Sequence, residues 1–388
     1  MLGHLYSLLS FYRRHIKSPL KVTKRQLIRS FTRPKLAYLY QKYLFQIAKK
    51  NWPAVRQSVL NISSLPELKN DKRLSIDFAH AAERVGLYEL STELSVINAQ
   101  IEGAVRFTDW NGEALSKKTL CISFKEKERQ GLAVGLRMAG YVKAASKKAR
   151  HTQLIVDRRL VPIFSRTLPT VDVLPYPEQC AAMNNNNTYT SHIVNLWQNI
   201  GTSEKKITSL FTPLMSDIGK SNLLREKYIR QGKTKRLLIG ISWFSTHFGK
   251  DLPALSDWLA FTKSFDANFV NLQYGNTKSD IYNFHKVLKE RFINDTKIDQ
   301  LISMDDFCNQ LGALDAVVTI SNTGAHLSSA MGVPTIVLRD DWFRRAWPVL
   351  SSKTPWYPNT ITIGKNGRQW ADVFNDVQQT LQNMIIQP

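Results

Sequence analysis

The sequence predicts an α/β fold with two Rossmann-like halves, preceded by an all-helical region. Three observations support this prediction. Apolar residues recur at helical spacing through residues 1–105. From residue 119 onward, short apolar runs alternate with helical patterns, which is typical of doubly wound sheets. Some runs, such as Ala316–Ile320, are almost continuously apolar and therefore indicate parallel strands covered on both faces.

The charge of the chain is large and unevenly placed. The chain has 388 residues, which is long enough for two or three domains. Its net charge is +22. No Asp or Glu precedes Glu67, whereas Lys and Arg recur from Arg13 to Arg56, interleaved with aromatic residues. Such a block favours contact with an anionic membrane surface, although a solvated basic helical arm has the same composition. We expect no nucleic-acid partner, because no nucleic-acid-binding motif is present.

Cysteine spacing and the N-terminal residues indicate the compartment. The chain contains three widely separated cysteines, Cys121, Cys180 and Cys308. Their spacing argues against a zinc site and for a reducing compartment. The apolar stretch over residues 5–12 is too short to span a bilayer, and Arg13 and Arg14 follow it without a small-residue cleavage site. We therefore expect a cytoplasmic protein that is peripheral on the inner membrane.

The helical region, residues 1–105, reads as a series of short amphipathic helices. Its predicted helices cover residues 36–48, 55–62, 74–85 and 88–102. Asn51, Trp52 and Pro53 interrupt the pattern and restart it. Paired short helices of this kind resemble degenerate tetratricopeptide-like hairpin repeats, although the sequence has no strict repeat period.

The two α/β halves are predicted over residues 106–232 and 233–388. In the first half, strands are expected at residues 119–124, 153–156 and 171–174, with helices at 131–145 and 160–167. A basic, polar segment over residues 228–236 reads as the linker between the halves. In the second half, strands are expected at residues 236–243, 268–273, 316–320 and 335–338.

The segment over residues 314–338 is the most informative in the second half. It reads as a strand, a polar turn at residues 321–324, a helix at residues 325–331, and a second strand. Unpaired N–H groups and the positive dipole end of that helix favour a phosphate. His326 belongs to the first turn of the helix and is expected to face the same cleft, or else to be a buried histidine with its hydrogen bonds satisfied.

Polar side chains follow each predicted strand of the second half, where ligands of open α/β sheets bind. These side chains supply the hydroxyls, amides and one lysine that a diphosphate needs, together with two histidines; they are Ser242, Ser245, Thr246, His247, Lys250, Gln273, Ser321, Asn322, Thr323 and His326. Tyr274 and Trp342 are candidates for stacking on a base or sugar. These residues also have structural interpretations. Trp342, and Trp243 at the end of the first of these strands, suit a hydrophobic core, and hydroxyls that follow strands often cap helices.

Four segments carry a resemblance to a known family. They are residues 240–243 (Gly-Ile-Ser-Trp), 271–275 (Asn-Leu-Gln-Tyr-Gly), 322–334, which runs from Asn-Thr-Gly-Ala-His-Leu to Gly-Val-Pro, and 355–358 (Pro-Trp-Tyr-Pro). In this order they resemble the C-terminal half of GT-B glycosyltransferases of the heptosyltransferase-like superfamily. The most similar group is bacterial tetratricopeptide-repeat proteins with that domain at their C-terminus. The resemblance covers residues 108–388, and residues 110–112 (Trp-Asn-Gly) resemble the segment that opens those domains.

The resemblance implies a nucleotide-diphospho-sugar donor bound by the second half and an acceptor held by the first. The donor-binding residues that it implies are Ser242, Ser245, Thr246, Lys250, Gln273, Tyr274, Asn322, Thr323, Gly324 and His326. It implies no metal and no cofactor other than the donor, because cationic and helix-dipole groups can neutralise the departing diphosphate. The Asp pairs at residues 305–306 and 340–341 are better read as loop or cap carboxylates.

Two departures from the family pattern affect the predicted chemistry. Asn322 stands where the family commonly carries Asp. The first strand–helix turn, residues 124–131, is a charged run instead of a glycine-rich Gly-Asp segment. Glu126 and Glu128 are candidates for the general base, because only a carboxylate within reach of the acceptor hydroxyl is needed. A solvated charged turn is the alternative.

Two functions follow from these patterns. The first is a metal-independent, inverting glycosyltransferase that acts at the cytoplasmic membrane face. Its acceptor would be a cell-surface glycan, a lipopolysaccharide, another lipid-linked glycan or a protein. The second is a catalytically inactive GT-B-like scaffold that binds a sugar or nucleotide, which the two departures favour.

Overall fold

A computed structural model describes the protein over most of its length. The described residues are 34–69, 72–101, 110–123, 132–176, 187–232, 237–245, 251–340 and 347–386. The chain divides into two compact units. Among the described residues, one unit holds 34–101 together with Asp251, Asp340 and 347–351, and the other holds the rest, including both sheets.

The first unit is helical, as predicted. Its helices are α1 (Pro34–Ala48), α2 (Trp52–Ser63), α3 (Pro66–Lys69), α4 (Lys72–Arg84) and α5 (Tyr88–Ile101). Asn51 caps α2 by accepting a hydrogen bond from the Ala54 N–H at 3.3 Å, and Pro53 occupies the first turn, where it costs no hydrogen bond. Helices α1 and α2 pack as one antiparallel pair and α4 and α5 as another, around a shared apolar core. None of the helices that the structure describes is long and apolar enough to cross a membrane.

The second unit begins with a four-stranded parallel sheet. Its strands are β1 (Leu115–Ser123), β2 (Ala149–Val156), β3 (Asp172–Pro175) and β4 (Thr188–His192), in the order β3-β2-β1-β4. The helices beside it are α6 (Leu132–Leu136), α7 (Ala139–Ser146), α8 (Val161–Thr167), α9 (Asn195–Ile200) and α10 (Glu204–Ser209). The helix predicted over residues 131–145 is therefore broken, and the interruption falls at Arg137 and Met138.

The predicted linker over residues 228–236 is wrong in its described part. Helix α11 (Ile218–Gln231) continues through Tyr228, whose side chain is fully buried. The Tyr228 hydroxyl donates to Asp295 Oδ2 at 3.0 Å and accepts from Gln310 Nε2 at 3.1 Å. The polar residues that indicated a linker therefore belong to a helix. One face of this helix packs against the helix over residues 304–312, which flanks the second sheet.

The second sheet has seven strands among the described residues. They are β5 (Leu238–Ser242), β6 (Asn268–Asn271), β7 (Phe292–Ile293), β8 (Ala316–Ile320), β9 (Thr335–Arg339), β10 (Lys353–Thr354) and β11 (Tyr357–Gly364). Their order is β10-β11-β9-β8-β5-β6-β7, and only the β10 pairing is antiparallel. The flanking helices are α12 (Leu255–Ser264), α13 (Lys278–Leu288), α14 (Met304–Gly312), α15 (Thr323–Ala330) and α16 (Trp370–Ile386). Every residue of β5, β8 and β9 is buried, which explains their continuous apolar pattern.

The two sheets are joined by side chains from both halves. Trp356, just before β11, lies 5.8 Å from Trp197 of α9 between ring centroids. The Arg137 guanidinium stands 4.4 Å from the centroid of the Trp356 ring, in cation–π geometry. Arg166 of α8 pairs with Asp305 of α14. The predicted α/β class, with two α/β halves built on mostly parallel sheets after a helical region, is confirmed.

The cysteines differ from each other in state. Cys308 of α14 is a free, buried thiol, and burial raises its pKa to about 12. Cys121 of β1 is disulfide-bonded.

Candidate functional site

The candidate site lies at the carboxyl ends of three neighbouring strands, β8, β5 and β6. Asn322 follows β8, Ser242 ends β5, and Gln273 follows β6. Asn322 Nδ2 donates to Ser242 Oγ at 2.9 Å, and Ser242 Oγ donates to Gln273 Oε1 at 3.0 Å. We call these three residues the strand-end cluster. Because parallel strands end at the same edge of a sheet, residues far apart in sequence meet here.

Gln273 holds the loop after β5. Its Oε1 accepts from the backbone N–H of Trp243 at 2.9 Å and from that of Phe244 at 2.7 Å. Its Nε2 donates to the carbonyls of Phe244 at 3.1 Å and Tyr274 at 3.0 Å. The carboxamide thus uses both of its ends within the protein, and it fixes the start of the segment that continues towards Lys250.

Asn322 caps helix α15. Its backbone is extended, and its Oδ1 accepts from the Ala325 N–H at 2.9 Å. At Gly324 a Cβ atom would stand 3.3 Å from both Asn322 Oδ1 and the Phe307 ring, so glycine suits this close approach. Thr323 and Gly324 are partly exposed in the first turn, where helix N–H groups have no partner within the helix. This end of α15 therefore combines solvent access with a positive dipole.

His326 lies at the end of the first turn of α15, and its backbone N–H donates to the Asn322 carbonyl at 3.4 Å. Its side chain is 7% exposed, and Nδ1 lies 3.1 Å from the Tyr357 hydroxyl at the start of β11. The two rings pack with centroids 5.9 Å apart. This environment is that of a buried histidine with a hydrogen-bond partner, the alternative that the sequence left open.

The remaining predicted donor-site residues differ in how far the structure describes them. Ser245 is buried at the end of the described segment after β5. Tyr274 is partly buried, and its carbonyl accepts from Gln273. The other residues that the sequence nominated here, Thr246, His247, Lys250 and Trp342, lie outside the described residues, as do the candidate bases Glu126 and Glu128.

Trp243 belongs to the core, as its structural alternative stated. The side chain is 4% exposed and packs on Phe284 with ring centroids 4.7 Å apart. Its Nε1 donates to Asp280 Oδ2 at 2.9 Å, so the indole is satisfied on the side of α13. Trp243 therefore anchors the loop whose backbone Gln273 holds.

The carboxylates at the start of α14 are explained by the helix itself and by an ion pair. Asp306 donates its N–H to the capping Ser303 Oγ at 3.1 Å, and both Asp305 and Asp306 lie in the first turn, where negative charge is favoured. Burial alone would lower the pKa of Arg166, but its hydrogen bond and charge pairing with Asp305 raise that pKa. In the part of the chain that the structure describes, no three His, Cys, Asp or Glu side chains are grouped so as to hold a metal ion.

A narrow cavity between the two sheets was not foreseen from the sequence. It measures about 10 Å³, roughly the room of one water molecule. Its lining comes from both halves and includes Arg137, Tyr141, Leu210, Phe211, Trp356 and Tyr357. Trp356 and Tyr357 fall within the Pro-Trp-Tyr-Pro motif, so the motif marks the contact between the halves. Nothing in the spacing of Arg137 indicated its place between Trp197 and Trp356.

Comparison with known proteins identifies one curated relative and several similar structures. No family model matches the chain. The protein FlbA of Caulobacter vibrioides is 23% identical over 270 residues, covering 64% of this chain and 44% of FlbA. The chain thus spans less than half the length of that relative.

Among solved structures, the likenesses are to glycosyltransferases at low identity. A glycosyl transferase of family 9 from Veillonella parvula is 10% identical and covers 72% of this chain and 100% of its own, with a TM-score of 0.49. The ADP-heptose lipopolysaccharide heptosyltransferase II of E. coli is 12% identical, with coverages of 70% and 99% and a TM-score of 0.46. The O-GlcNAc transferase of Thermobaculum terrenum is 11% identical, with coverages of 99% and 93% and a TM-score of 0.28.

Proposed function

We propose that the protein is a glycosyltransferase that binds a nucleotide-diphospho-sugar at the carboxyl ends of β5, β6 and β8. The observation that carries this proposal is the strand-end cluster beside the first turn of α15. It brings the ends of three strands together at the sheet edge where ligands of open α/β sheets bind. Three of the four GT-B-like segments of the sequence, residues 240–243, 271–275 and 322–334, fall on the same strand ends.

In the proposed reaction, the donor diphosphate lies at the start of α15. The first-turn N–H groups of Thr323 and Gly324, together with Ser245, Thr246 and Lys250, would stabilise the negative charge that develops on the leaving group. A lysine ammonium suits this role because it neutralises phosphate as a compact point charge. On this proposal, the residues present require no metal ion to release the diphosphate.

The proposed displacement inverts the anomeric centre. The acceptor hydroxyl oxygen forms a bond to the anomeric carbon from the face opposite the diphosphate, and the bond between that carbon and the diphosphate oxygen breaks. The electron pair leaves with the nucleoside diphosphate. The hydroxyl proton passes to a base of the first half, for which Glu126 and Glu128 are the candidates.

The proposed acceptor is a cell-surface glycan, a lipopolysaccharide, another lipid-linked glycan or a protein at the cytoplasmic face of the inner membrane. The net charge of +22 and the absence of Asp and Glu before Glu67 support an anionic surface near the acceptor.

A non-catalytic scaffold that binds a sugar or nucleotide is the second candidate, and one observation favours it. The side-chain amide oxygen and nitrogen of both Gln273 and Asn322 make hydrogen bonds within the protein. Asn322 is also neutral where the resembled family has Asp. These residues therefore shape the strand-end loops whether or not the site turns over a donor.

The proposal is tested by measuring donor binding without metal. Purified full-length protein is titrated calorimetrically with UDP-, GDP-, ADP- and dTDP-sugars, and with CMP-sugars as single-phosphate controls. We expect binding of one diphosphate class, and Lys250→Ala should weaken it by about 1.5–3 kcal/mol, because a hydrogen bond to a charged group is lost. Lys263→Ala, at an exposed position on α12, is the matched control.

The outcomes separate the two candidate functions. Binding together with release of the nucleoside diphosphate in the presence of an acceptor extract supports the glycosyltransferase. Binding without turnover under any acceptor condition favours the scaffold. Absence of binding by every nucleotide sugar, with Lys250→Ala indistinguishable from the unmodified chain, contradicts both.

A further inference from the structure

Helix α1 presents two contrasting faces. Its buried face consists of Leu36, Tyr40, Tyr43 and Ile47, which pack into the core of the helical unit. Its opposite face, continued by Lys49 just past the helix end, carries exposed side chains at alternating three- and four-residue intervals: Lys35, Tyr38, Lys42, Phe45 and Lys49. These spacings place the five side chains in one stripe along the helix. We call this stripe the basic–aromatic face.

The aromatic members of the stripe are exposed to an unusual degree. The Tyr38 side chain is 64% exposed and Phe45 is 43% exposed. The Lys49 ammonium lies 4.5 Å from the centroid of the Phe45 ring. A single exposed aromatic side chain needs no explanation. Two of them that alternate with three lysines on one helix face form a surface with both apolar and cationic binding capacity.

The chain segment that carries this stripe has charge of one sign. Helix α1 contains no acidic residue, and no Asp or Glu occurs anywhere before Glu67. Lys50 and Arg56, which follow α1 in the chain, are also exposed. An acidic protein partner would meet the same positive charge, but it would not require an alternating aromatic row along the whole helix.

We propose that the basic–aromatic face lies on an anionic lipid surface. Amphipathic helices that rest in the membrane interface place aromatic rings at the level of the headgroups and extend lysine stems towards anionic phosphates. From Lys35 to Lys49 the stripe runs about 21 Å at the usual helical rise, so α1 would lie parallel to the membrane plane. The proposal rests on the proposed function only for its purpose, which is to bring the enzyme to its acceptor.

Flotation of the full-length protein with lipid vesicles tests the proposal in the absence of any nucleotide sugar. The vesicles contain phosphatidylcholine alone or with about one third phosphatidylglycerol, a composition that carries a surface charge. A charge variant combines Lys35→Gln, Lys42→Gln and Lys49→Gln. An aromatic variant combines Tyr38→Ser and Phe45→Ser. Circular dichroism and the unfolding midpoint verify that each variant is folded.

Matched controls carry the same chemical changes at exposed positions elsewhere. The charge control combines Lys205→Gln, Lys263→Gln and Lys286→Gln, all exposed in the second unit. The aromatic control is Tyr282→Ser, where the side chain is 68% exposed. These controls separate a defined docking face from a diffuse effect of net charge or of surface aromatic residues.

We expect the partition coefficient onto anionic vesicles to fall on the order of a hundredfold in the charge variant, since each lysine near an anionic surface contributes about fivefold. The aromatic variant should lose roughly tenfold, and both controls should partition like the unmodified chain. Equal binding to neutral and anionic vesicles, unchanged partition of either α1 variant, or an equal loss in the charge control would overturn the proposal. Tighter binding to RNA than to vesicles, lost in the same variants, would assign the face to nucleic acid and also overturn it.

The result is independent of donor binding. Calorimetry with the nucleotide sugar should give the same affinity for the α1 variants as for the unmodified chain. A chain that partitions as expected but binds no donor refutes the proposed glycosyl transfer alone, and a chain that binds a donor but ignores vesicles refutes the membrane face alone.

Discussion

Replacing Gln273 tests how the strand-end cluster organises the site. In Gln273→Ala, the partly buried hydrogen bonds with Ser242 Oγ, the Trp243 N–H and the Tyr274 carbonyl are lost. At about 1 kcal/mol each they total about 3 kcal/mol. The two bonds to Phe244, which is 44% exposed, should add little, because water replaces them.

The measurement is amide hydrogen exchange of the peptide that covers β5 and its following loop. A loss of about 3 kcal/mol corresponds to a more than hundredfold faster exchange through local opening. Gln273→Glu should resemble Gln273→Ala, since its second carboxylate oxygen would face the carbonyls of Phe244 and Tyr274 and repel them. Asn276→Ala, at an exposed position in the same connection, is the control. Exchange in Gln273→Ala within threefold of the control would refute the reasoning.

Three further predictions concern the framework around the site. Gly140→Ala places a methyl group against the Leu210 carbonyl, which belongs to backbone that cannot swing away, so we expect a loss of more than about 3 kcal/mol in thermal unfolding; a wild-type midpoint would contradict this. Asn322→Ala removes the cap of α15 and should cost about 1–2 kcal/mol, whereas Asn322→Asp keeps the cap and should cost less, as amide exchange of α15 would report. Burial alone would raise the pKa of Asp295, but the hydrogen bond from Lys227 and its other partners lower that pKa in the folded state. The ionised carboxylate therefore stabilises the fold above the unfolded pKa near 4, and this contribution is lost as the pH falls through the lower folded pKa. Asp295→Asn should flatten this acid dependence in urea titrations, and an unchanged pH profile would disprove the assignment.

The central strands of the second half could be predicted closely, because strands buried on both faces have a continuous run of apolar residues in the sequence. Strand β8 begins and ends where the apolar run predicts, and β9 differs from the prediction only by Arg339. Helix α15 starts at Thr323, two residues before the predicted start, because Asn322 takes the capping position inside the polar turn. Propensity alone does not reveal which of several small polar residues will cap a helix.

Other parts of the fold and site depend on contacts between distant residues. Residues 228–231 looked like a linker because the polar groups of Tyr228 are satisfied only by Asp295 and Gln310, far along the chain. The convergence of Ser242, Gln273 and Asn322 was predictable from the parallel-sheet rule. The hydrogen bonds among these three side chains were not predictable, because they depend on side-chain geometry that residue spacing does not determine. The burial of His326 against Tyr357 has the same origin.

The contact of Trp356 with Trp197 and Arg137 has a consequence for how the protein folds. Each α/β half contributes large aromatic or cationic side chains to one shared interior. Cutting the chain between residues 232 and 237 would leave these side chains open to water on both fragments. The halves should therefore unfold in a single cooperative transition and not independently. Although their sequence patterns look like two separate domains, the two halves form one folding unit.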